Sequence, residues 1–413
     1  MPSPPIPFHI LRAHHAPISA LHFTRGNTHL FAGDQDGVVS VTDLGARRVV
    51  ASWEAHDKGV LSVGEWDGGV VSQGRDNKIN FYARVPSGPR GQGAPAVVQT
   101  MPSNSLNFCR FSLVPLEKAN EALLALPNLT DSELIDIYHV PSLKRLHSAI
   151  NFVPRATGPD APRSGLVMSL HLHVRGAEVF LATGYEDGRV EVWSCAVSAV
   201  ETMWDGRKGV EKGEQLWKRL WEGKAHNEAV MAMAVDPAFT RAFTVSADHL
   251  LGRVDLSSME EAHLTYAQII SGTADPPSSA LATYAMNQIG HASLATSHDG
   301  RVVAVGGWDG RIRLFSAATF KPLGTLSYHR ESVQALAFAQ PAATTLPIEG
   351  ASGDDNETVE LGAESDSDDD DDNGGAGDAA GPRDRWLASG GKDRRIALWA
   401  LMDFAAGASA AGR

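Results

Sequence analysis

An all-β propeller of seven blades is the fold this sequence predicts, and three observations carry the prediction. An aspartate recurs with apolar residues three and five positions later and an aromatic six positions later, as in Asp393 with Ile396, Leu398 and Trp399. A short apolar run ending near Gly or Ser precedes such stretches, as in "HLFAGD", "GVVSQG", "VFLATG", "RVVAVGG" and "WLASGG". Further upstream stands a histidine or His-His pair followed by another apolar segment, in "AHHAPISALHF", "AHDKGVLSV", "AHNEAVMAMAV" and "YHRESVQALAF". Alternation with period two, bounded by Gly and Asp, is the pattern of a strand that packs one face on a neighbour, and a helix does not produce it. Each unit thus contains a hairpin with the aspartate in its turn, and with the further upstream segment four strands per unit is the natural count. Strand-rich units repeating at about 40 to 45 residues are propeller blades.

Taken in order, the first unit, "DGVVSVT", has Asp36, Val39 and Val41 but Thr42 in the aromatic slot. The second, "DNKINFY", has Asp76, Ile79, Phe81 and Tyr82, and the third, "SELIDIY", has Ser132 in the aspartate slot before Ile135, Ile137 and Tyr138. The fourth, "DGRVEVW", gives Asp187, Val190, Val192 and Trp193. The fifth, "LGRVDLS", is read with Leu251 in the aspartate slot and Val254 and Leu256 behind it. The sixth, "DGRIRLF", gives Asp309, Ile312, Leu314 and Phe315, and the seventh is that of Asp393. One strand is left over: "FHILR" (8–12) precedes the first histidine as "VVASW" (49–53) precedes His56, while the last unit has no fourth strand after Trp399. Pairing the N-terminal strand with the last blade closes the ring and covers two edges that open sheets would expose.

The same repeats carry polar residues that a blade would bury. The last blade has a full set, His329, Ser389, Asp393 and Trp399, and the second comes close with His56, Ser72, Asp76 and Tyr82. A buried polar group left unpaired costs about 1–3 kcal/mol, so such residues are expected in a hydrogen-bonded chain that ties a turn to the preceding histidine. A Ser-His-Asp nucleophile is the competing reading, but a constellation repeated with the architecture is better explained by the architecture. The sequence contains no P-loop, HExxH or GxSxG. Most of the 16 histidines stand at the starts of blades or singly, His14-His15 included, and the 2 cysteines, Cys109 and Cys195, supply neither a disulfide framework nor a cysteine zinc site. No catalytic, cofactor-binding or metal-ligating residue is assigned.

The chain has 413 residues, whereas seven blades use roughly 300. A single domain over 1–413 therefore carries insertions: a Pro/Gly-rich loop at 83–104, a loop around 153–164, a stretch near 201–215, a partly strand-like one at 260–279, and the largest at 341–384. The last falls inside blade 7, because His329 and Asp393 stand 64 positions apart where His56 and Asp76 stand 20 apart. An Ala/Gly-rich flexible tail is expected over 404–413. Between Glu349 and Asp378 lie 13 acidic residues and no Lys or Arg, against a net charge of −13 for the whole chain, so the remainder is formally neutral. Direct binding of nucleic acid needs clustered cations, which the balance does not supply. The tract is too charged and too poor in aromatics to order itself, and reads as a solvated loop. Ser365 and Ser367 each precede an aspartate by three positions, Asp368 and Asp370, which suits an acid-directed kinase. No run reaches the ~18 apolar residues of a membrane span, and the first residues lack the basic start and apolar core of a signal peptide, so an intracellular protein is expected. The sequons "NLT" at 128 and "NET" at 356 are then coincidental.

The stretches "PPIPFHILRAHHAPISALHF", "LFAGDQDGVVSVTDL" and "ASWEAHDKGVLSV", with "VVAVGGWDGRIRLF" and "WLASGGKDRRIALW", resemble the fungal ASTRA-associated protein 1 family of WD-repeat proteins, itself similar to the animal G-protein β-subunit-like family. The resemblance covers nearly all of the chain outside the insertions. The WD signature is shared by proteins of many functions, and the N-terminal stretch makes the narrower match. It implies a non-catalytic scaffold with protein partners, the Tel2, Tti1 and Tti2 proteins and a Tra1-like kinase. It also implies work in chromatin regulation and in the maturation of phosphatidylinositol-3-kinase-related kinases, in the nucleus with the cytoplasm as a second compartment. No cofactor, membrane, small-molecule substrate or direct nucleic-acid contact is implied. Two other classes compete: a histone-binding chaperone acting through the Asp-rich loop, and a propeller enzyme with groups converging on the central channel. Replacing 345–380 by a short Gly/Ser linker is expected to leave the melting temperature nearly unchanged, because halving or doubling a loop changes stability by only about 0.6 kcal/mol. A large fall in a thermal melt would show that the tract packs on the propeller.

Overall fold

The computed structural model describes residues 5–85, 94–116, 118, 120–152, 165–259, 280–341 and 382–402. Most of the acidic insertion with Ser365 and Ser367, the loops 153–164 and 260–279, and the tail 404–413 lie outside the described residues. Seven sheets follow one another along the chain as the seven blades of a propeller. Blade 1 is built of Ile18–Phe23, His29–Asp34, Val38–Asp43 and Arg48–Glu54, each pairing antiparallel with the next. Blades 2 to 6 repeat that order over 60–102, 112–150, 167–224, 230–285 and 291–327. The innermost strands of blades 7 and 1 lie side by side, as those of blades 5 and 6 do.

The alternation read in the sequence sorts side chains between neighbouring blades. In blade 7, Ile396 and Leu398 pack with Ile18, Phe23 and Leu30 of blade 1, while Ala397 and Trp399 face Val302 and Leu314 of blade 6. Ile312 and Leu314 likewise point forward to blade 7 and Phe315 back to blade 5. Both faces of every blade are thus packed against a neighbouring blade, and the third strand sends apolar residues to each side.

Ring closure follows the expected pairing. The strand His9–Leu11 adds antiparallel to Ile396–Ala400 with His9 opposite Leu398, Ile10 opposite Ala397 and Leu11 opposite Ile396. The Phe8 N–H extends the ladder by donating to the Leu398 carbonyl at 2.9 Å, and its ring lies 4.7 Å from that of Trp386.

The insertions differ in detail from the sequence reading. Val97–Pro102, inside the segment read as a loop over 83–104, is the outer strand of blade 2, so the insertion there is shorter. The segment around 201–215 has structure of its own: helix α1 (Val197–Val200), a two-residue strand Trp204–Asp205 and helix α2 (Gly206–Lys212). That strand pairs in parallel with Lys144–Ile150, the outer strand of blade 3, giving that blade a fifth strand that covers part of its edge. His147 fastens the arrangement: its Nε2–H donates to the carbonyls of Ala199 and Thr202 at 3.1 and 3.0 Å, and its Nδ1 accepts from Trp217 Nε1–H at 2.8 Å. The C-terminal end of the 341–384 insertion is ordered, with Arg383 donating to the Asn27 carbonyl on blade 1.

Each propeller face has its own loops. The upper face carries the turns between second and third strands and the loops that lead into each blade, which hold the histidines and aspartates. Connections at the opposite ends of the strands lie on the lower face, among them 197–217 and the described stretches 83–85, 94–96, 256–259 and 382–385. Removing residues 1–12 deletes the closing strand, and the expected result is a lower melting temperature and reduced soluble yield. An unaltered melt would show that the His9–Leu11 pairing contributes nothing to the ring.

Candidate functional site

Blade 7 contains one continuous hydrogen-bonded chain. Trp399 Nε1–H donates to Ser389 Oγ at 2.9 Å, the Ser389 hydroxyl donates to His329 Nε2 at 2.8 Å, and His329 Nδ1–H donates to the Asp393 carboxylate at 3.0 Å. The backbone N–H groups of Arg330 and Arg395 also donate to Asp393. In blade 2 His56 bonds Asp76 at 3.0 Å and Ser72 at 2.7 Å. Tyr82 stands outside that chain, a correction to the sequence reading: its hydroxyl donates to the Ala55 carbonyl at 3.2 Å and accepts from Asn80. A phenol reaches further than an indole nitrogen and meets the loop leading into the blade instead of the serine.

Two more blades hold chains that the sequence reading missed. In blade 5 His226 bonds Asp248 at 3.1 Å and Thr244 at 2.9 Å. Asp248 therefore fills the aspartate slot, and Leu251 sits three positions behind it, opposite Val245. The fifth unit was read three residues out of frame because Gly252 and Arg253 interrupt its alternation. In blade 1 His14 bonds Asp34 and Ser40, both at 2.7 Å, and Asp36 is exposed. Here the parts are rearranged. Ala32, in the place of Ser389, pairs with Ser40, in the place of Ala397, so the hydroxyl has crossed to the neighbouring strand. Asp34 stands where blade 7 has Gly391, and a Cβ on Gly391 would point straight at the Asp393 carboxylate and the His329 ring. A side chain from that position delivers its carboxylate to the same spot.

The remaining three blades replace the chain by a charged residue four positions after the aspartate slot. Glu191 in blade 4 is buried and accepts from Tyr185 Oη–H at 2.8 Å, Trp193 Nε1–H at 3.2 Å, Arg189 at 3.3 Å and Arg219 at 3.4 Å. Burial raises its carboxyl above the ordinary range against the pull of Arg219 and Arg189. Asp136 in blade 3, wholly buried, accepts from Asn128 at 2.8 Å, the Ala149 N–H at 3.0 Å, Tyr138 at 3.3 Å and Arg145 at 3.4 Å. Arg313 in blade 6 donates to both oxygens of Asp309, at 3.1 and 2.6 Å. Asp187, with no histidine above it, takes Arg189 Nε–H at 2.6 Å, and Ser132 accepts from Asn104 at 2.8 Å. The signal for these centres was present as a charge inside an apolar alternation: "LIDIY", "VEVW", "IRLF".

None of this arrangement offers a nucleophile. Ser389 has no exposed surface, and its hydroxyl is committed on both sides. The central channel, a cavity of about 390 Å³, is lined by His22, Arg110 and His171 among others. Arg110 donates to the Ser19 and Gln334 carbonyls at 2.9 and 3.3 Å, and His171 to the Met233 carbonyl at 2.8 Å. Among the described residues, no group of three or more His, Cys, Asp or Glu is placed to hold a metal ion. What remains on offer is surface. On the upper face Leu106, Phe108, Ile289 and Trp308 are 71, 51, 72 and 48 % exposed. Trp308 was quoted in its motif but not singled out; the signal was an indole directly before a turn aspartate, where other blades have Gln35, Arg75, Glu186 and Lys392.

Two predictions test the polar chains. Asp393→Ala and Asp248→Ala should each destabilise by about 1–3 kcal/mol in chemical denaturation, since each strands a buried histidine; silence at either position would break the chain drawn through that blade. Burial holds His56 and His226 below the ordinary histidine range despite Asp76 and Asp248, so the folded protein keeps them neutral while the unfolded chain takes up protons. Their contribution is present above about pH 6.5 and is lost as pH falls from there through the folded-state values. For Asp393, burial acts upward but the His329 hydrogen bond holds the carboxyl below its usual value, so its contribution persists above about pH 3.9 and fails only in stronger acid. A melting temperature that falls between pH 7 and pH 5 is expected, and a flat profile would contradict the neutral histidines.

Comparison with known proteins fits this architecture. The family described as WD domain, G-beta repeat, matches residues 6–43 and 285–316, over parts of blades 1, 5 and 6. The chain is 30% identical to ASTRA-associated protein 1 of Aspergillus niger over 96% of this chain and 97% of that protein. It is 27% identical to ASTRA-associated protein 1 of Penicillium rubens with the same coverage. To guanine nucleotide-binding protein subunit beta-like protein 1 of the mouse it is 25% identical, over 97% of both chains. A match of that identity along nearly the entire length, on a seven-bladed ring with WD repeats, places the chain in the ASTRA-associated protein 1 family.

Proposed function

We propose that the protein is a non-catalytic scaffold that holds other proteins together in an ASTRA-like assembly. The observation that carries this reading is the full-length kinship to proteins named for association with ASTRA. The geometry supports it: the His, Ser and Asp groups that could do chemistry in the blades are consumed in internal hydrogen bonds, leaving two rigid, loop-bearing faces free. In finer detail, the partners are Tel2, Tti1, Tti2 and a Tra1-like kinase. The work is chromatin regulation and the maturation of phosphatidylinositol-3-kinase-related kinases, in the nucleus and secondarily the cytoplasm. A second reading, a histone-binding acidic chaperone, is favoured by the 13 acidic residues between Glu349 and Asp378.

Salt separates the two readings. Affinity through a net-neutral propeller depends weakly on ionic strength, whereas an acidic tract holding a basic partner is screened as salt rises. Tagged protein purified from its own cells at low and at high salt should retain Tel2, Tti1 and Tti2 in both. Histones retained only at low salt, with those partners missing throughout, would hand the function to the acidic tract. Kinase levels unchanged on depletion of the protein would remove the maturation role while leaving the scaffold.

A further inference from the structure

Trp308 stands on the upper face at the tip of blade 6, and its ring is held in place. It lies across Gly290, whose φ is +87° and whose Cβ, if it had one, would collide with the indole. The Trp308 backbone N–H donates to the Gly290 carbonyl at 3.1 Å. The neighbouring Ile289 is 72 % exposed, so an indole and an aliphatic side chain form one presented apolar spot. Below it His291 is wholly buried with neither ring nitrogen hydrogen-bonded among the described residues, in the place where other blades have Val60, Val230 or Val333.

The charges around this spot are one-sided. The blade 6 turn packs on the loop leading into blade 7, where Gly310 approaches the His329 and Glu331 carbonyls. That loop in turn holds the Asp393 turn through Arg330 N–H and through Lys392 N–H on the Ser332 carbonyl. Arg311, Arg330, Lys392 and Arg394 are all exposed along this continuous path. Their side chains enter no ion pair or side-chain hydrogen bond among the described residues. The acids beside them are already used: Asp309 by Arg313, Asp393 by His329, and Asp248 by His226. Glu331 is the one exposed carboxylate left between them. On blades 1 and 2 the exposed charges are mixed, with Asp36, Glu54 and Asp57 beside Lys58, Arg75 and Lys78, and Lys78 pairs with Asp57 at 3.3 Å.

We propose that the Trp308–Ile289 spot and the cations of blade 7 form a docking site for an acidic segment of a partner protein that carries a bulky apolar side chain. The apolar side chain packs on the indole, a residue type enriched among binding hot spots, and the flanking carboxylates pair with Arg330, Lys392 and Arg394. Pairing of this kind is geometric as well as coulombic, since a guanidinium grips a carboxylate through two parallel N–H donors. A nucleic acid is the lesser fit, because the chain outside the acidic tract carries no net positive charge and the path begins at an apolar spot. The assignment rests on the scaffold reading and names one of its surfaces.

A fluorescein-labelled peptide of about 15 residues, Asp/Glu-rich around a central Leu-Phe pair, serves as the probe with the full-length protein, read by anisotropy. Binding should weaken by about tenfold or more in Trp308→Ala and in Arg330→Glu/Lys392→Glu, and should be weaker for a peptide with Ser in place of the Leu-Phe pair. Arg330 and Lys392 are exposed, so the charge-reversal variant keeps its fold, which a thermal melt verifies. Absence of binding, equal binding by a Lys-rich peptide, or equal binding by single-stranded oligonucleotide overturns the assignment. Binding that appears only when 345–380 is replaced by a Gly/Ser linker would give the site to the chain's own acidic tract and overturn the partner reading. If the ASTRA partners co-purify but the peptide does not bind, only this surface fails; if the peptide binds and no partner co-purifies, it is the scaffold role that fails.

Discussion

The joint on which the ring depends is the upper turn that follows the second strand of a blade. In blades 2, 5 and 7 its aspartate is held by the histidine that leads into the same blade, and in blades 1 and 4 the glycine after the aspartate holds the backbone that leads into the following blade. Gly37 of blade 1 accepts the N–H groups of Ala55 and His56 on its carbonyl, and His56 then reaches Asp76 of blade 2. Gly188 does the same for Ala225 and His226, and His226 reaches Asp248. Gly37 adopts φ +92° in close contact with the His56 carbonyl, a place that admits no side chain. Asn77 takes the equivalent place in blade 2 at φ 63°, a conformation asparagine tolerates, and accepts the Ser103 N–H. At the joints into blades 2 and 5 a main-chain bond is thus followed by a side-chain bond, and a local turn conformation becomes a contact between blades.

Below these turns every blade must satisfy a polar group inside a sheet buried on both faces. Two solutions coexist. Blades 1, 2, 5 and 7 use a His bridging a hydroxyl and a carboxylate, while blades 3, 4 and 6 place a charged residue on the third strand and surround it with opposite charge or donors. Either works because each acceptor has its donors; a half-completed version of either would leave a desolvated group uncompensated. The exchange of Ala32 and Ser40 relative to Ala397 and Ser389 shows how loosely the backbone source of an atom is fixed once its position in space is fixed.

The two faces divide the labour that a scaffold needs. The lower face gathers the long connections, and one of them folds back to cover the outer edge of blade 3 through Trp204–Asp205. The N-terminal strand covers blade 7 in the same manner. Both devices remove unpaired strand edges that would recruit other chains indiscriminately. The upper face, with short turns locked by the hydrogen bonds above, presents its exposed side chains from a rigid frame, which lowers the entropic cost of binding them.

The sequence by itself determined the number of blades, the strand period, the closing role of residues 8–12 and the chains of blades 2 and 7 except for Tyr82. These are legible because side-chain direction in a strand alternates with period two and because hairpin turns confine aspartate and glycine to fixed offsets. Only the tertiary structure decided that Asp34 and Ser40 complete the chain of blade 1, that Asp248 and not Leu251 occupies the turn of blade 5, and that Glu191, Asp136 and Arg313 anchor the others. It also decided that Val97–Pro102 pairs as a strand, that residues 204–205 cover another blade, and that Trp308 stands half-exposed. The reason is common to all of them. A hydrogen bond is satisfied by an atom at a point in space, several backbone positions can deliver that atom, and which one does so is fixed by cross-strand register and loop length, neither of which a linear spacing contains.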